Sequence, residues 1–255
     1  MTPLAPGARR ALDWLTATPV AHRGLHDIGK GIVENTESAV QAALDGGYAI
    51  EVDLQLTADG EAVVFHDYTL ERLTEGSGRV IDHSADALKQ VAFKACGDRM
   101  QTLAELLEQV AGKVTLMIEL KSRWQDIGPL EHRVAQVVQS YRGPACVMSF
   151  DPQSMIAMKA IAPHLVRGLV SERYEPTEEW SFMSVSQRLN LRHGVQLPEC
   201  DPHFLHYHVK GLPYGPTRLF RRLGRPVLTW TVRTPEDREI AAKYADQMIF
   251  EGFQP

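Results

Sequence analysis

The stretch that decides the fold is Ala49-Ile-Glu-Val-Asp-Leu-Gln-Leu56, eight residues in which apolar and polar side chains alternate with period two. Successive side chains of a strand point to opposite faces, so Glu51, Asp53 and Gln55 share one face and Ile50, Val52 and Leu54 the other. A second run, Thr115-Leu-Met-Ile-Glu119-Leu-Lys121, repeats the arrangement with Glu119 and Lys121 on one side. Working outward, further β-rich runs appear at Val20–Arg23, Cys146–Phe150, Val166–Ser171, Phe204–Val209, Val227–Val232 and Met248–Glu251. Helical patterns separate most of them: Asn35–Leu44, opening on a capping residue; Thr102–Val110, with Thr102 and Glu105 as a capping box; then Pro129–Tyr141, Pro152–Ile161, Thr217–Arg222 and Pro235–Tyr244. Such alternation calls for parallel strands. No glycine-rich G-x-G-x-x-G turn follows the first strand, which favours an α/β (β/α)8 TIM barrel over an open doubly wound sheet.

Length agrees with that reading, because 255 residues suit one α/β barrel, at roughly 250 residues per barrel. A single domain over residues 1–255 is therefore expected. One unit departs from the pattern. Glu61–His66 is an extra β run after the second strand, and the polar, turn-rich stretch that follows reads as a small insertion over residues 67–101. The segment from Glu172 to His203 is poorly patterned, so a helix plus an irregular loop is expected, with Arg173, Tyr174, Trp180 and Phe182 mostly packing the loop and no long exposed apolar run. Met1 to Thr18 reads as a short amphipathic helix packed on the body, too short and too polar for a signal-peptide core.

Composition excludes several classes. The formal net charge is −5, without the basic excess that drives non-specific nucleic-acid binding, and no apolar run is long enough to span a bilayer. Three widely spaced cysteines, Cys96, Cys146 and Cys200, suggest neither a disulfide framework nor a zinc site, and a cytoplasmic location is expected.

Chemistry concentrates at the strand ends. If the two acidic strands meet at one barrel mouth, Glu51, Asp53 and Glu119 form a trio of negative charges. At ~4 Å and an effective dielectric near 20, each pair repels by about 4 kcal/mol, and three pairs approach a domain's whole stability. All-oxygen donors suit a hard divalent cation, Mg²⁺ or Ca²⁺, with Lys121 supplying part of the compensation. His22 and His66 end β runs beside this trio and suit two-sided proton transfer, and the Arg23 guanidinium fork suits a phosphate. Any one of these residues alone fits an ordinary structural role; together they describe metal-assisted phosphoryl transfer.

The order His22-Arg23-Gly24, Glu34-Asn35-Thr36, Glu51-Val-Asp53-Leu-Gln-Leu-Thr-Ala-Asp-Gly60, Val64-Phe-His66-Asp67 and Glu119-Leu-Lys121 resembles the glycerophosphodiester phosphodiesterase family, with matching spacing over roughly Ala21 to Ser122. The resemblance implies a (β/α)8 barrel that hydrolyses glycerophosphodiesters to sn-glycerol 3-phosphate and an alcohol. It implies His22 and His66 as the acid–base pair, Glu51, Asp53 and Glu119 as ligands of one Mg²⁺ or Ca²⁺ with Glu34 as a further candidate, and Arg23 and Lys121 as phosphate contacts. It also favours Trp230 as a wall of the glycerol site. Lys210, on one face of the sixth strand with His206 and His208, is the remaining substrate-contact candidate, and the two histidines themselves read as buried and hydrogen-bonded. The partner expected is a small-molecule diester; neither nucleic acid nor a membrane span is expected, and homo-oligomers are compatible with the sequence. The family often ends its last strand in an Asp-containing run, where this chain reads Ile249-Phe-Glu251-Gly252, followed by too few residues for an eighth helix, so the N-terminal segment is expected to cover the barrel there. Two alternatives share the same motifs: a phospholipase-D-like enzyme acting on lysophospholipids or sphingomyelin, marked by an apolar lip for acyl chains, and a non-catalytic phosphate-ester binding protein.

Overall fold

A computed structural model describes residues 1, 3, 4 and 6–255. Its strands are β1 (Val20–Ala21), β2 (Ala49–Leu56), β3 (Ala62–Val64), β4 (Leu116–Leu120), β5 (Ala145–Ser149), β6 (Val166–Ser171), β7 (Phe204–His208), β8 (Val227–Val232) and β9 (Gln247–Phe250). All but β3 run parallel in the order β1-β2-β4-β5-β6-β7-β8-β9, and β9 pairs back to β1 through Val20↔Ile249 and Ala21↔Phe250. The barrel is therefore closed, a (β/α)8 fold. β3 is antiparallel to the outer end of β2 (Leu54↔Val64, Leu56↔Ala62) and opens the excursion before the third barrel strand.

Strand parity sorts the core. One apolar shell joins Ile50, Val52 and Leu54 of β2 and Leu116, Ile118 and Leu120 of β4 to the helices through Val40, Leu103, Leu106, Val134 and Met155. The opposite faces fill the barrel interior with Val20, Ala49, Met117, Cys146, Met148, Val170, Phe204, Leu228 and Ile249. Leu15 belongs to this inner cluster, although it lies in the 3-10 turn Asp13–Thr16 that precedes β1. Thr115 and Gln247 donate to the carbonyls of Trp14 and Thr16, so the N-terminal segment seals the end of the barrel where the strands begin. The helix in that segment is confined to Pro6–Arg10; Thr2 and Ala5, which the sequence reading included, lie outside the described residues. No helix among the described residues is long and apolar enough to cross a membrane.

Helix ends follow the local chemistry. Thr102 and Glu105 form the expected reciprocal cap of Leu103–Val110. The helix Glu37–Asp45 is capped by Thr36, whose side chain accepts from the Ala39 amide, and not by Asn35 as the sequence suggested. Asn35 instead sits at φ 57°, a left-handed conformation that its short amide tolerates, and its side chain turns into the barrel. Residues 67–101 carry the short helix Ala85–Leu88, and their Leu70, Leu73, Val80, Leu88 and Phe93 form a small apolar cluster with Phe65 of the preceding β run and Val33 of the first connection.

Gly168 lies on the inner face of β6, where an added Cβ would come within 2.2 Å of the buried Phe204 ring. Gly168→Ala should cost about 1–3 kcal/mol in urea unfolding, and Gly168→Ala combined with Phe204→Leu should recover part of that loss. Unchanged stability of the single variant would show that the interior is less tightly filled than described.

Candidate active site

β2 and β4 lie side by side with Asp53 directly opposite Glu119, so strand register alone brings the acidic side chains together at the end of the barrel where the strands finish. Carboxylate oxygens of Glu51, Asp53 and Glu119 all lie within 4.8 Å of one another, and the residues are 1%, 1% and 6% exposed. Lys121 places its Nζ 2.9 Å from Asp53 Oδ1 and 2.6 Å from Glu119 Oε1. The Arg23 amide donates to Glu51 Oε2 at 3.0 Å, and its Nε stands 3.3 Å from Asp53 Oδ2. That orientation depends on the tight turn after β1: Arg23 and Gly24 both have positive φ, and a Cβ at Gly24 would strike Ala39 at 2.8 Å. Asn35 Nδ2 donates to Asp53 Oδ2 at 2.9 Å while its Oδ1 accepts from the Asp53 amide.

These neighbours do not neutralise the trio evenly. Burial would raise the Asp53 carboxyl, but the charges of Lys121, His66 and Arg23 outweigh it and hold the group below the ordinary carboxylate range. Burial, reinforced by Asp53 and Glu119, drives Glu51 well above that range. Burial also raises Glu119, with Lys121 opposing. An acidic pocket that tends to retain a proton, built only from hard oxygen donors, fits a divalent cation. Glu34, the additional candidate, is tied up elsewhere: it accepts from Arg23 Nη1 at 2.6 Å and from Arg72 at 2.7 and 3.1 Å.

The two histidines flank the trio and are held alike. His22 Nδ1 lies 2.6 Å from Glu251 Oε2, and Glu251 is gripped by Arg233 through Nε at 3.0 Å and Nη2 at 2.9 Å. His66 Nδ1 lies 2.7 Å from Asp67 Oδ1, and Asp67 is gripped by Arg72. A carboxylate on Nδ1 favours the tautomer with its proton there and leaves Nε2 to act. His22 Nε2 is 4.0 Å from Glu51 Oε2. Burial pushes the His22 pKa down to about 4 against the opposing pull of Glu251, so its imidazole is neutral near pH 7. Gln55, on the same face of β2 as Asp53, donates to the backbone carbonyls of His66 and Asp67 and fixes the end of the β3 run.

Other candidates fare differently. β7 ends at His208, and Lys210 falls in the 3-10 turn Val209–Gly211 with its Nζ 2.6 Å from Asp237 Oδ1. A buried carboxylate at the start of the helix Pro235–Tyr244 holds the ammonium of Lys210, the remaining substrate-contact candidate. Trp230 packs against Phe150, His206 and His208 with ring centroids 5.3, 5.8 and 4.9 Å away. His206 is buried as expected, yet neither ring nitrogen has a hydrogen-bond partner among the described residues. Burial places its pKa well below the usual value. Asn35, Gln55, Arg72, Arg233 and Glu251 are the site residues not assigned from sequence. Three of them carried a positional signal: Gln55 shares a strand face with Asp53, Asn35 stands in a quoted motif, and Glu251 follows the last barrel strand.

A groove beside the trio is lined by His66, Glu119, Lys121, Trp124, Phe150 and Trp180, among others. Residues 22–253 match the family model described as glycerophosphoryl diester phosphodiesterase family. A glycerophosphodiester phosphodiesterase of Caldanaerobacter subterraneus is 35% identical over 161 residues, 59% of this chain and 65% of that one. Glycerophosphodiester phosphodiesterase 1 of Mus musculus is 39% identical over 178 residues, 64% of this chain and 52% of that one. The match thus spans between half and two thirds of these two relatives. Among solved structures, a phosphodiesterase of Oleispira antarctica in complex with the product sn-glycerol-3-phosphate superposes with a TM-score of 0.76 at 22% identity, covering 92% of this chain and 94% of that one. A putative glycerophosphoryl diester phosphodiesterase of Silicibacter pomeroyi gives 0.75 at 23% identity, covering 95% and 93%. With the family model matched from the first histidine to the last turn of the chain, this protein belongs to the glycerophosphoryl diester phosphodiesterase family.

Proposed function

We propose that this protein is a divalent-cation-dependent phosphodiesterase that hydrolyses glycerophosphodiesters to sn-glycerol 3-phosphate and an alcohol. The observation that carries this reading is the buried carboxylate trio set between two histidines, each backed by a carboxylate and an arginine. Glu51, Asp53 and Glu119 would hold the cation, which when bound supplies Lewis-acid stabilisation of charge on phosphate oxygens. Arg23 and Lys121 put positive charge at the same place, suited to the non-bridging oxygens. His22, neutral near pH 7, is in the form that accepts a proton from the attacking hydroxyl, while His66 gives one to the departing alcohol oxygen. Glu251 and Asp67 hold the two rings in the required tautomer, and Arg233 and Arg72 hold those carboxylates ionised. Trp230 walls the glycerol side. A binding protein would need charge complementarity, but no pair of supported imidazoles.

His22→Ala and His66→Ala should each fold normally by circular dichroism and lower turnover of glycerophosphocholine by at least ~100-fold. Near-normal turnover in either variant would remove that histidine from the mechanism.

Because a cation must displace the proton that Glu51 tends to keep, binding should tighten as pH rises, by up to about tenfold per pH unit where one proton is displaced. Calorimetric titration with Mg²⁺ or Ca²⁺ in two buffers of different ionisation enthalpy would measure proton release directly. Chelation should abolish activity and either ion restore it; full activity after exhaustive chelation would defeat the cation assignment.

A further inference from the structure

At the opposite end of the barrel from the acidic trio, a cavity of about 460 Å³ opens between the N-terminal segment and the helix Gly215–Arg222. Its lining residues Thr16, Pro226 and Asp246 stand just ahead of β1, β8 and β9, which places it where the strands begin. It sits within the size range of small-molecule pockets, roughly 300–1,000 Å³. Leu12 and Arg225, 5% and 4% exposed, line its inner side, and the exposed Arg9, Arg221 and Arg222 stand around them. Among the described lining residues four guanidiniums thus meet only two carboxylates, those of Asp13 and Asp246, in a chain whose formal net charge is −5.

Two of these guanidiniums are held in place by the protein. Arg221 sets Nε 3.1 Å and Nη2 3.0 Å from Asp246 Oδ1, and the other oxygen of Asp246 accepts from the Val227 amide. A guanidinium carries five N–H donors, so Arg221 keeps donors to spare. Arg225 lies 2.8 Å from Asp201 Oδ1 and donates to the Pro202 carbonyl. By contrast, the side chains of Arg9 and Arg222 have no ion pair or hydrogen bond among the described residues. An arginine in the last turn of a helix ordinarily serves the terminal carbonyls. Here the carbonyls of Leu219, Phe220 and Arg221 accept from the amides of Leu223, Gly224 and Arg225, and that of Leu223 accepts from the Leu4 amide. Those four carbonyls therefore do not explain Arg222.

We infer that this cavity binds the phosphate group of a small soluble phosphate monoester, gripped by Arg9 of the N-terminal segment and Arg222 of the helix Gly215–Arg222. The surplus of positive charge in the lining matches the roughly −2 charge that a monoester phosphate carries near neutral pH. Guanidinium forks suit its oxygens two at a time, and the Thr16 hydroxyl lies on the same wall. The site is recessed, with Arg225 almost fully covered, which suits a small molecule better than a flat bilayer surface. Such a ligand ties the outer helix to the N-terminal segment, whose Trp14 and Thr16 carbonyls already accept from Thr115 and Gln247. It leaves the catalytic end of the barrel untouched and does not depend on the reaction proposed there.

The test is calorimetric titration of the full chain, kept in EDTA, with inorganic phosphate, glucose 6-phosphate and glucose. One saturable site is expected for each of the two phosphates and none for glucose, with affinity falling as NaCl is added. Arg9→Gln and Arg222→Gln should each weaken that site by at least about tenfold, as expected when a charge-assisted hydrogen-bonded contact is lost. Asp13→Asn removes a carboxylate from the lining and should tighten binding, a gain that a purely structural role for the arginines would not produce. All three variants should keep the parent's circular dichroism and, with Mg²⁺ or Ca²⁺ resupplied, its glycerophosphocholine turnover within about twofold. No binding of either phosphate, or binding that both glutamine variants retain in full, would overturn the inference. Binding confined to phosphatidylglycerol-containing vesicles, with none to the soluble phosphates, would overturn it as well.

Discussion

Three carboxylates buried within 4.8 Å of one another, on the inner face of two neighbouring strands, are the constraint that organises this molecule. Like charges out of water at that spacing would by themselves unfold a barrel of ordinary stability. The chain answers with Lys121 on the same strand face, with the Arg23 amide presented by a left-handed turn, and with Asn35 reaching in from the first connection. Residual imbalance stays on Glu51, where burial and two acidic neighbours push the carboxyl well above the ordinary range.

Around this centre the fold builds the same device twice from unrelated parts of the chain. His22 leans on Glu251 and Arg233, supplied by the last two barrel strands and their edges, while His66 leans on Asp67 and Arg72, supplied by the excursion after β2. Closure of the barrel between β1 and β9 is what brings Glu251 to His22 across 229 residues of sequence. The glutamate that departs from the family's common ending thus works as an imidazole support. The excursion plays a second part, since its small apolar cluster includes Val33 and so anchors the connection that carries Glu34 and Asn35.

Much of this was legible in the amino-acid order because strand parity is a strong signal. Glu51 with Asp53, and Glu119 with Lys121, could share a face only if their runs were strands, and the inner and outer shells divide along that parity. Helix starts set by local hydrogen bonds, such as the Thr102–Glu105 box, were equally readable. What parity could not give was where a strand stops. Lys210 lies two residues beyond the end of β7, and that small displacement hands it to Asp237 of a different connection. Asn35 was misjudged as a cap because Thr36 offers the same chemistry one position later, and only the tertiary position of Asp53 decides between them. The exposed apolar side chains Phe182, Val185 and Leu189 come from an aperiodic stretch, where spacing carries no information about contact.

Arg72 ties together two separate parts of the site's rim. It joins the first connection, through Glu34, to the excursion, through Asp67, at the protein surface with about half its side chain open to solvent. Ion pairs in that setting weaken as dissolved salt screens them. The stiffness of the rim on the His66 side is therefore tied to the ionic strength of the medium, whereas the deeper support of Asp53 by Lys121 and Asn35 is shielded from it.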